Sequence, residues 1–230
     1  MRTKPAGVPP ERPGGSGSWG WSAGLVGSLA VLAGLLGGCS PSATYLGTAG
    51  QGFYYKVPRH WDTFSSTALH NLGLPTTAQA SQLQAQGASY PVYANFVTGV
   101  KHLGKQGISG PHPWAFGLVM NLASTDQAGL SLSSLQDEVF NVSGASQAGA
   151  LVRPLFPSKV VVKGALRGTR VAYEINAGAS SLAFEQEALV NSPTNKVWVL
   201  VAGCSPSCFQ AHRRLINSII STFTVTGYGG

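Results

Sequence analysis

The sequence predicts an α+β fold for residues 53–230, and three observations support this class. Four strand-like segments follow one another late in the chain, and turn residues separate the last two, which predicts a hairpin. Apolar residues recur at helical spacing after Ser205-Pro206, which predicts a closing amphipathic helix. Further apolar strands precede these elements. The four late strands are predicted at residues 159–163, 168–176, 182–191 and 196–203.

The first half of the domain is predicted to begin with a strand at Phe53–Pro58, in which every second residue from Phe53 lies on one face. Proline ends this strand because it cannot donate to a ladder. Composition favours a short helix at 78–86 and a strand at 90–100. The apolar run at 114–122 is predicted to be a central strand.

A further helix is predicted at Ser131–Val142. Apolar residues recur at helical spacing from Leu132 onward, and Ser133 with Gln136 has the pattern of a capping box. This helix would separate the early strands from the late ones.

The late strands differ in their predicted burial. In the strand at 168–176, apolar residues such as Val171 alternate with polar ones such as Arg170, so one face is expected to be wet. In the strand at 196–203, valines alternate with other apolar residues. That pattern predicts burial on both faces.

Charge and composition exclude one broad class of function. The chain carries a formal net charge of +7, but its lysines and arginines are spread singly along the sequence. Nucleic-acid binders usually gather such residues on one face or element, so no nucleic-acid partner is predicted. Only 10% of the residues are charged, which leaves few carboxylates for acid–base chemistry.

The N-terminal segment has the organisation of an export signal. Residues 1–22 are polar and net basic, and the uncharged run Ala23–Leu36 would span about 21 Å as a helix. This is shorter than the roughly 30 Å hydrocarbon core, so a signal peptide fits better than a permanent span. Ordinary secretion or an uncleaved membrane anchor would also fit this segment.

The end of this run, Leu36-Gly37-Gly38-Cys39, resembles the bacterial lipobox. The resemblance implies a cleaved lipoprotein signal peptide at residues 1–38, with diacylglycerol on the Cys39 thiol and further acylation such as palmitate. Two acyl chains give stable membrane anchoring where one is marginal. Residues 39–52 are small and polar, which predicts a lipidated flexible tether before the domain.

The other two cysteines lie close together near the C-terminus. Lipid on Cys39 and a disulfide between Cys204 and Cys208 would account for all three. In a reducing cell this spacing could instead serve catalysis or metal binding, but the export signal favours the disulfide.

A loop rich in glycine and proline, residues 101–113, is the candidate ligand-facing segment. It contains His102, Lys105 and His112, and Trp114 follows directly. Loops carry function more often than cores do. The two histidines are separated by neither cysteine nor carboxylate, so no metal site is predicted there.

No catalytic signature and no cofactor motif emerge, so the chain is expected not to be an enzyme. Glu174, Glu185 and Glu187 fall on neighbouring strands, as paired glycosidase carboxylates would, but ordinary solvated glutamates have the same spacing and are the favoured interpretation. An envelope hydrolase with a dispersed site is one alternative, with His60 and Asp62 as its first candidates. A small-ligand carrier, which needs an apolar cavity, is another.

The order of the predicted parts resembles a known group of proteins. A strand followed by Pro58 and Trp61 opens the domain, a Gly168-Thr-Arg-Val-Ala-Tyr-Glu strand follows later, and a helix ending Ser221-Thr-Phe223 closes it. This order resembles the PsbP/Mog1-like fold and, within it, the LpqN/LpqT-type actinobacterial lipoproteins.

The resemblance implies a central antiparallel sheet flanked by helices. It also implies a non-enzymatic binding or assembly factor of the cell envelope, held by its lipid on the extracytoplasmic face of the cell membrane. Its expected partners are the membrane, through the anchor, and an envelope protein, lipid or glycan.

Overall fold

A computed structural model describes most of the predicted domain, namely residues 43–48, 52–64, 77–100 and 106–227. The predicted signal peptide and Cys39 lie outside these ranges. The described residues belong to one compact unit. No helix within them is both long and apolar enough to cross a membrane.

Strands dominate the described part of the chain. They are β1 (Ala43–Thr48), β2 (Phe53–Pro58), β3 (Asp62–Phe64), β4 (Tyr90–Thr98), β5 (Trp114–Asn121), β6 (Leu151–Lys163), β7 (Leu166–Ala177), β8 (Ser180–Val190), β9 (Lys196–Cys204) and β10 (Thr224–Val225). The α-helices are α1 (Thr77–Ala85), α2 (Ser124–Gln127), α3 (Val142–Gln147) and α4 (Pro206–Ser221), and 3₁₀ turns occur at Gly107–Ser109 and Ser134–Asp137. The predicted α+β class is confirmed.

The main sheet has seven strands in the order β3-β4-β5-β9-β8-β7-β6, all antiparallel to their neighbours. The four late strands are confirmed, although β6 begins well before its predicted start. In the predicted hairpin turn, the side-chain Nδ2 of Asn191 donates a hydrogen bond to Asn195 Oδ1 at 2.7 Å. β5 pairs with β4 and β9, so it is central, as predicted.

A smaller sheet, β1-β2-β10, contains residues that were predicted to be a tether. Ala43 to Thr48 pair in order with Pro58 to Phe53. The tether prediction is therefore wrong for residues 43–48. Composition alone suggested flexibility, but Thr, Tyr and Leu favour strands once a neighbouring strand is available to pair with.

The smaller sheet and α4 lie on one face of the main sheet. Phe53, Trp198 and Ile216 are fully or almost fully buried there in one apolar cluster. Gly117 of β5 makes this packing possible, because a Cβ at that position would lie 1.8 Å from the ring of Phe53. We call this surface of the main sheet the α4 face.

The opposite face of the main sheet carries a second apolar cluster. Trp114 and Phe184 lie within it, and Leu135 and Val142 pack onto them from the segment between β5 and β6. Both faces of β9 are therefore buried, as its alternation of apolar residues predicted.

The predicted helix at Ser131–Val142 is wrong. This segment forms the 3₁₀ turn Ser134–Asp137, and the side chain of Ser133 makes no capping hydrogen bond. The side chain of Gln186 in β8 donates to the carbonyl of Leu135 at 2.8 Å. In a helix, this carbonyl would instead accept a hydrogen bond from a backbone amide of the next turn. A buried side chain from the sheet thus overrides local helical spacing.

The predicted wet face of β7 is also wrong. Ala172 on that face is fully buried, because it belongs to the apolar cluster that lies between the main sheet and α4. An alternation of apolar and polar residues does not reveal whether a helix covers the polar side.

The start of α4 matches the prediction. Ser205 caps it by accepting a hydrogen bond from the Cys208 amide at 3.4 Å, and Pro206 occupies the first turn. Cys204 and Cys208 form the predicted disulfide, with Cα atoms 5.9 Å apart. The bridge ties the end of β9 to the first turn of α4.

Candidate functional site

The predicted ligand-facing loop is only partly described. His102 and Lys105 lie outside the described residues, whereas His112 is exposed. Trp114 is fully buried, and its indole donates to the carbonyl of Ile108 at 2.7 Å. The prediction that Trp114 faces a ligand is therefore wrong, because its polar group is satisfied inside the fold.

The hydrolase candidates lie near the start of the main sheet. His60 is exposed in the turn after β2, and Asp62 is exposed at the first position of β3. Within the described ranges, no three His, Cys, Asp or Glu side chains come together as a metal site would require.

Two carboxylates that were expected to be solvated are instead buried. Glu185 and Glu187 of β8 are each 1% exposed and lie on the α4 face. Their spacing of two residues places them on the same side of the strand. Because an isolated buried carboxylate is very costly, the surrounding charges decide what this pair does.

Two cations from neighbouring strands balance the pair. Arg170 of β7 lies opposite Glu187 in register, and its Nε donates to Glu185 Oε1 at 2.6 Å. Lys163 Nζ at the end of β6 lies 2.5 Å from Glu187 Oε1. We call Lys163, Arg170, Glu185 and Glu187 the ion-pair cluster.

The end of α4 closes over the ion-pair cluster. Arg170 donates to Ser221 Oγ at 3.2 Å and to the carbonyl of Asn217 at 3.4 Å. Lys163 donates to the carbonyl of Phe223 at 2.6 Å. Both cations therefore bind the C-terminal end of the helix, where partial negative charge favours them.

Burial raises the pKa of Glu185 and of Glu187 above the usual value, and Arg170 and Lys163 act in the opposite direction. Arg213 on α4 also favours the charged form of Glu185. Perturbed carboxylates are candidates for acid–base chemistry. Here both are engaged by cations beneath a helix, which is the arrangement of a structural ion-pair network.

The third glutamate of the predicted group behaves differently. Glu174 pairs at 2.5 Å with Arg153, whose side chain is 58% exposed. The hydrogen bond from Arg153 lowers the pKa of Glu174. The structure thus brings Glu185 and Glu187 together and leaves Glu174 in a separate surface pair.

A cleft of about 450 Å³ on the opposite face of the sheet is acidic, whereas the charges of the ion-pair cluster balance. We call it the acidic cleft, and its lining comprises Ser89, Met120, Leu122, Thr125, Asp126, Gly129, Leu130, Ser134 and Glu138. Ser89 organises one wall, since it donates to Asp126 and accepts from the Ala123 amide at 2.8 Å.

Burial raises the pKa of Glu138 in the acidic cleft, and the charges of Asp137 and Asp126 raise it further. The sequence from residue 106 to residue 152 contains no lysine or arginine. This long gap between cations was the signal in the sequence for an acidic region, although it does not reveal a cleft.

The fold resembles solved structures at low sequence identity. Cyanobacterial PsbP from Synechocystis matches with a TM-score of 0.51 and 12% identity, over 83% of this chain and 98% of its own. LpqN of Mycobacterium tuberculosis, a protein involved in cell envelope biogenesis, has a TM-score of 0.44 and 12% identity, over 80% of this chain and 90% of its own. The Ran-binding protein Mog1p of Saccharomyces cerevisiae has a TM-score of 0.44 and 10% identity, with 80% and 95% covered.

No protein-family model matches the chain, and no curated protein does so either. The match to PsbP over nearly its whole length shows the fold. The chain has the PsbP/Mog1-like fold that its sequence predicted.

Proposed function

We propose that this chain is a lipoprotein anchored through Cys39 to the extracytoplasmic face of the cell membrane. There it acts as a non-enzymatic binding or assembly factor of the cell envelope. A basic leader, a short apolar run and Leu36-Gly37-Gly38-Cys39 occur in the order that such export requires.

The disulfide is the observation that carries this proposal. Cys204 and Cys208 bond to each other, which is typical of an oxidising compartment outside the cytoplasm. Their pairing accounts for two of the three cysteines in the sequence, and Cys39 is the third. A thiol at that position is the group that lipidation consumes.

The start of the fold supports a position close to the membrane. Ala43, four residues after Cys39, is already paired with Pro58 in the smaller sheet. Four extended residues reach at most about 14 Å. A lipid on Cys39 would therefore hold the domain against the bilayer surface.

The ion-pair cluster does not suit a catalytic role, which agrees with the proposed non-enzymatic function. Its two carboxylates are the most deeply buried in the described part of the chain, and both are committed to Arg170 and Lys163. A catalytic acid must reach a substrate. The end of α4 covers this pair instead.

The anchor is tested by expressing the full chain in an actinobacterial host and separating its membranes. We expect the protein in the membrane fraction, with a mature mass that begins at Cys39 and includes diacylglycerol. Cys39→Ala should abolish both results, whereas the control C204S/C208S should keep the acyl mass. An unmodified Cys39 in the membrane fraction would overturn the proposal.

The binding role is tested on the same membranes by crosslinking and mass spectrometry. We expect an envelope component to be recovered with the wild type and lost after Cys39→Ala, because the variant no longer lies at the membrane. Turnover of ester, glycoside or peptide substrates by the purified protein would contradict the non-enzymatic role.

A further inference from the structure

The two edges of the main sheet are protected to different degrees against pairing with another strand. β3, at one edge, has only three residues, and a short edge strand is a poor template. β6, at the other edge, has 13 residues. Within the described ranges no strand pairs with its outer side, so one row of its backbone groups is available.

The first half of β6 carries the usual protection of an edge strand. Pro154 and Pro157 lack the N–H group that a pairing strand requires. The register to β7 also shifts between Pro154 and Phe156, and again between Phe156 and Lys159. Such irregularities bend an edge strand and prevent pairing.

The second half, Ser158–Lys163, has no proline, and beyond the register shift Lys159 to Lys163 pair with β7 in unbroken register. We call this segment the open half. Val160 and Val162 on one of its faces are 69% and 71% exposed, the highest values among the large apolar side chains described. Exposed β-branched residues on an unpaired strand are typical of a site that another strand covers.

The other face of the open half is basic. Lys159 and Lys163 lie on either side of Val161, since side chains alternate along a strand. Lys163 bonds inward to Glu187, and Lys159 lies over the ring of Phe156. A strand added here would meet two valines on one face and the exposed Lys159 on the other.

We propose that the open half of β6 binds an extended segment of a partner protein by strand addition, and that this segment alternates apolar and acidic residues. Its apolar residues pair with Val160 and Val162, and a carboxylate lies beside Lys159. The inference rests on the proposed binding function and names the chemistry of the partner.

A second copy of this chain fits the open half poorly. An antiparallel pair that places Val160 opposite Val162 of the copy also places Lys159 opposite Lys163 of the copy. Like charges directly opposite each other on neighbouring strands are destabilising. This valine-matched register is therefore disfavoured for a second copy, and Lys159 favours an acidic strand instead.

The surface next to Val162 extends the site. Val162 and Arg167 line a cleft of about 420 Å³, together with Asn191 and Thr194 in the β8–β9 turn. Arg167 lies opposite Val162 in register and is exposed. This exposed guanidinium adds positive charge beside the valine face of the open half.

The experiment uses the full chain in detergent and a synthetic peptide of about ten residues in which valine and glutamate alternate. A valine–lysine peptide of the same length is the control. We expect fluorescence anisotropy to show binding of the glutamate peptide alone. Hydrogen exchange should then slow within residues 158–163, because the added strand takes up their free amide groups.

Matched variants test which half of β6 binds. V160T/V162T keeps the β-branched shape but removes apolar contact, and it should weaken peptide binding about fivefold. Leu151→Thr, at a position 68% exposed in the proline-containing half, should leave binding unchanged. Lys159→Glu should weaken peptide binding, whereas the control Arg214→Glu, at an exposed position of α4, should not.

Failure of the glutamate peptide to bind, or binding without slowed exchange at residues 158–163, would overturn the inference. Equal binding of the valine–lysine peptide, or a dimer joined through residues 158–163, would do the same. The intact mass of the same sample reports acylation of Cys39. The proposed anchor and this inference can therefore fail separately.

Discussion

Two polar regions on opposite faces of the sheet both raise the pKa of a glutamate, yet they are built in opposite ways. The ion-pair cluster surrounds Glu185 and Glu187 with Arg170 and Lys163. The acidic cleft sets Glu138 near other carboxylates. Burial is the largest cause of the raised pKa in both regions. The direction of a pKa shift therefore does not reveal whether a carboxylate is held by partners or repelled by neighbours.

The largest expected effect comes from removing the central cation of the ion-pair cluster. Arg170→Met leaves Glu185 and Glu187 buried with too little positive charge, which should lower the free energy of unfolding by about 3–5 kcal/mol. Urea denaturation at pH 7 measures this change.

Arg153→Met is the matched control, because Arg153 also pairs with a glutamate but is 58% exposed. An exposed pair contributes about 0.5 kcal/mol. Similar losses of unfolding free energy for Arg170→Met and Arg153→Met would show that the buried ion pairs contribute no more to stability than an exposed pair does.

The next effect tests the helix that covers the ion-pair cluster. C204S/C208S releases the first turn of α4 and should lower the free energy of unfolding by about 2 kcal/mol, as expected for so small a loop. Hydrogen exchange should increase in α4 and remain unchanged at Ser134–Asp137 beside the acidic cleft. Equal changes in both regions would remove the distinction between them.

The pH dependence of stability tests the ion-pair cluster directly. Both glutamates have a folded-state pKa above the ordinary value of 4.5. Their contribution to stability is fully present below the unfolded pKa and is lost as pH rises through the folded pKa. The unfolding free energy of the wild type should therefore decrease more steeply above pH 4.5 than that of E185Q/E187Q. Parallel profiles in urea denaturation would contradict the raised pKa values.

The smallest effect, with the opposite sign, is expected in the acidic cleft. Glu138→Gln removes a carboxylate that lies near Asp126 and Asp137, so it should stabilise the fold by about 0.5 kcal/mol at pH 7. Added salt should reduce this gain because it screens the repulsion. Asp62→Asn, at an exposed position, is the control and should change little. A destabilising Glu138→Gln would show that Glu138 is held by partners after all.

Features that depend on short-range chemistry could be predicted. Alternating residues in β9 indicated burial on both faces, and Asn191 to Asn195 indicated a hairpin. Ser205 and Pro206 indicated the start of α4. Each of these signals lies within a few residues, where side-chain period and capping act directly.

The candidate site was predicted less well, because it depends on contacts between distant elements. Trp114 follows a loop in the sequence, but its indole turns inward to Ile108. Ser131–Val142 has helical spacing, but Gln186, some fifty residues later, binds its backbone. The partners of these groups come from other strands and turns, so local patterns could not indicate them.

The sequence by itself indicated the late strands and the start of α4, because side-chain period, turn chemistry and capping are local properties. The PsbP/Mog1-like fold was indicated by the resemblance of the order of elements to known proteins. Only the tertiary structure decided the fate of Glu185 and Glu187. Two glutamates that are two residues apart have the same sequence pattern whether their face of the strand is exposed to water or covered by a helix. Their burial follows from the position of α4 on the sheet, and their charge balance follows from Arg170 and Lys163 on two further strands.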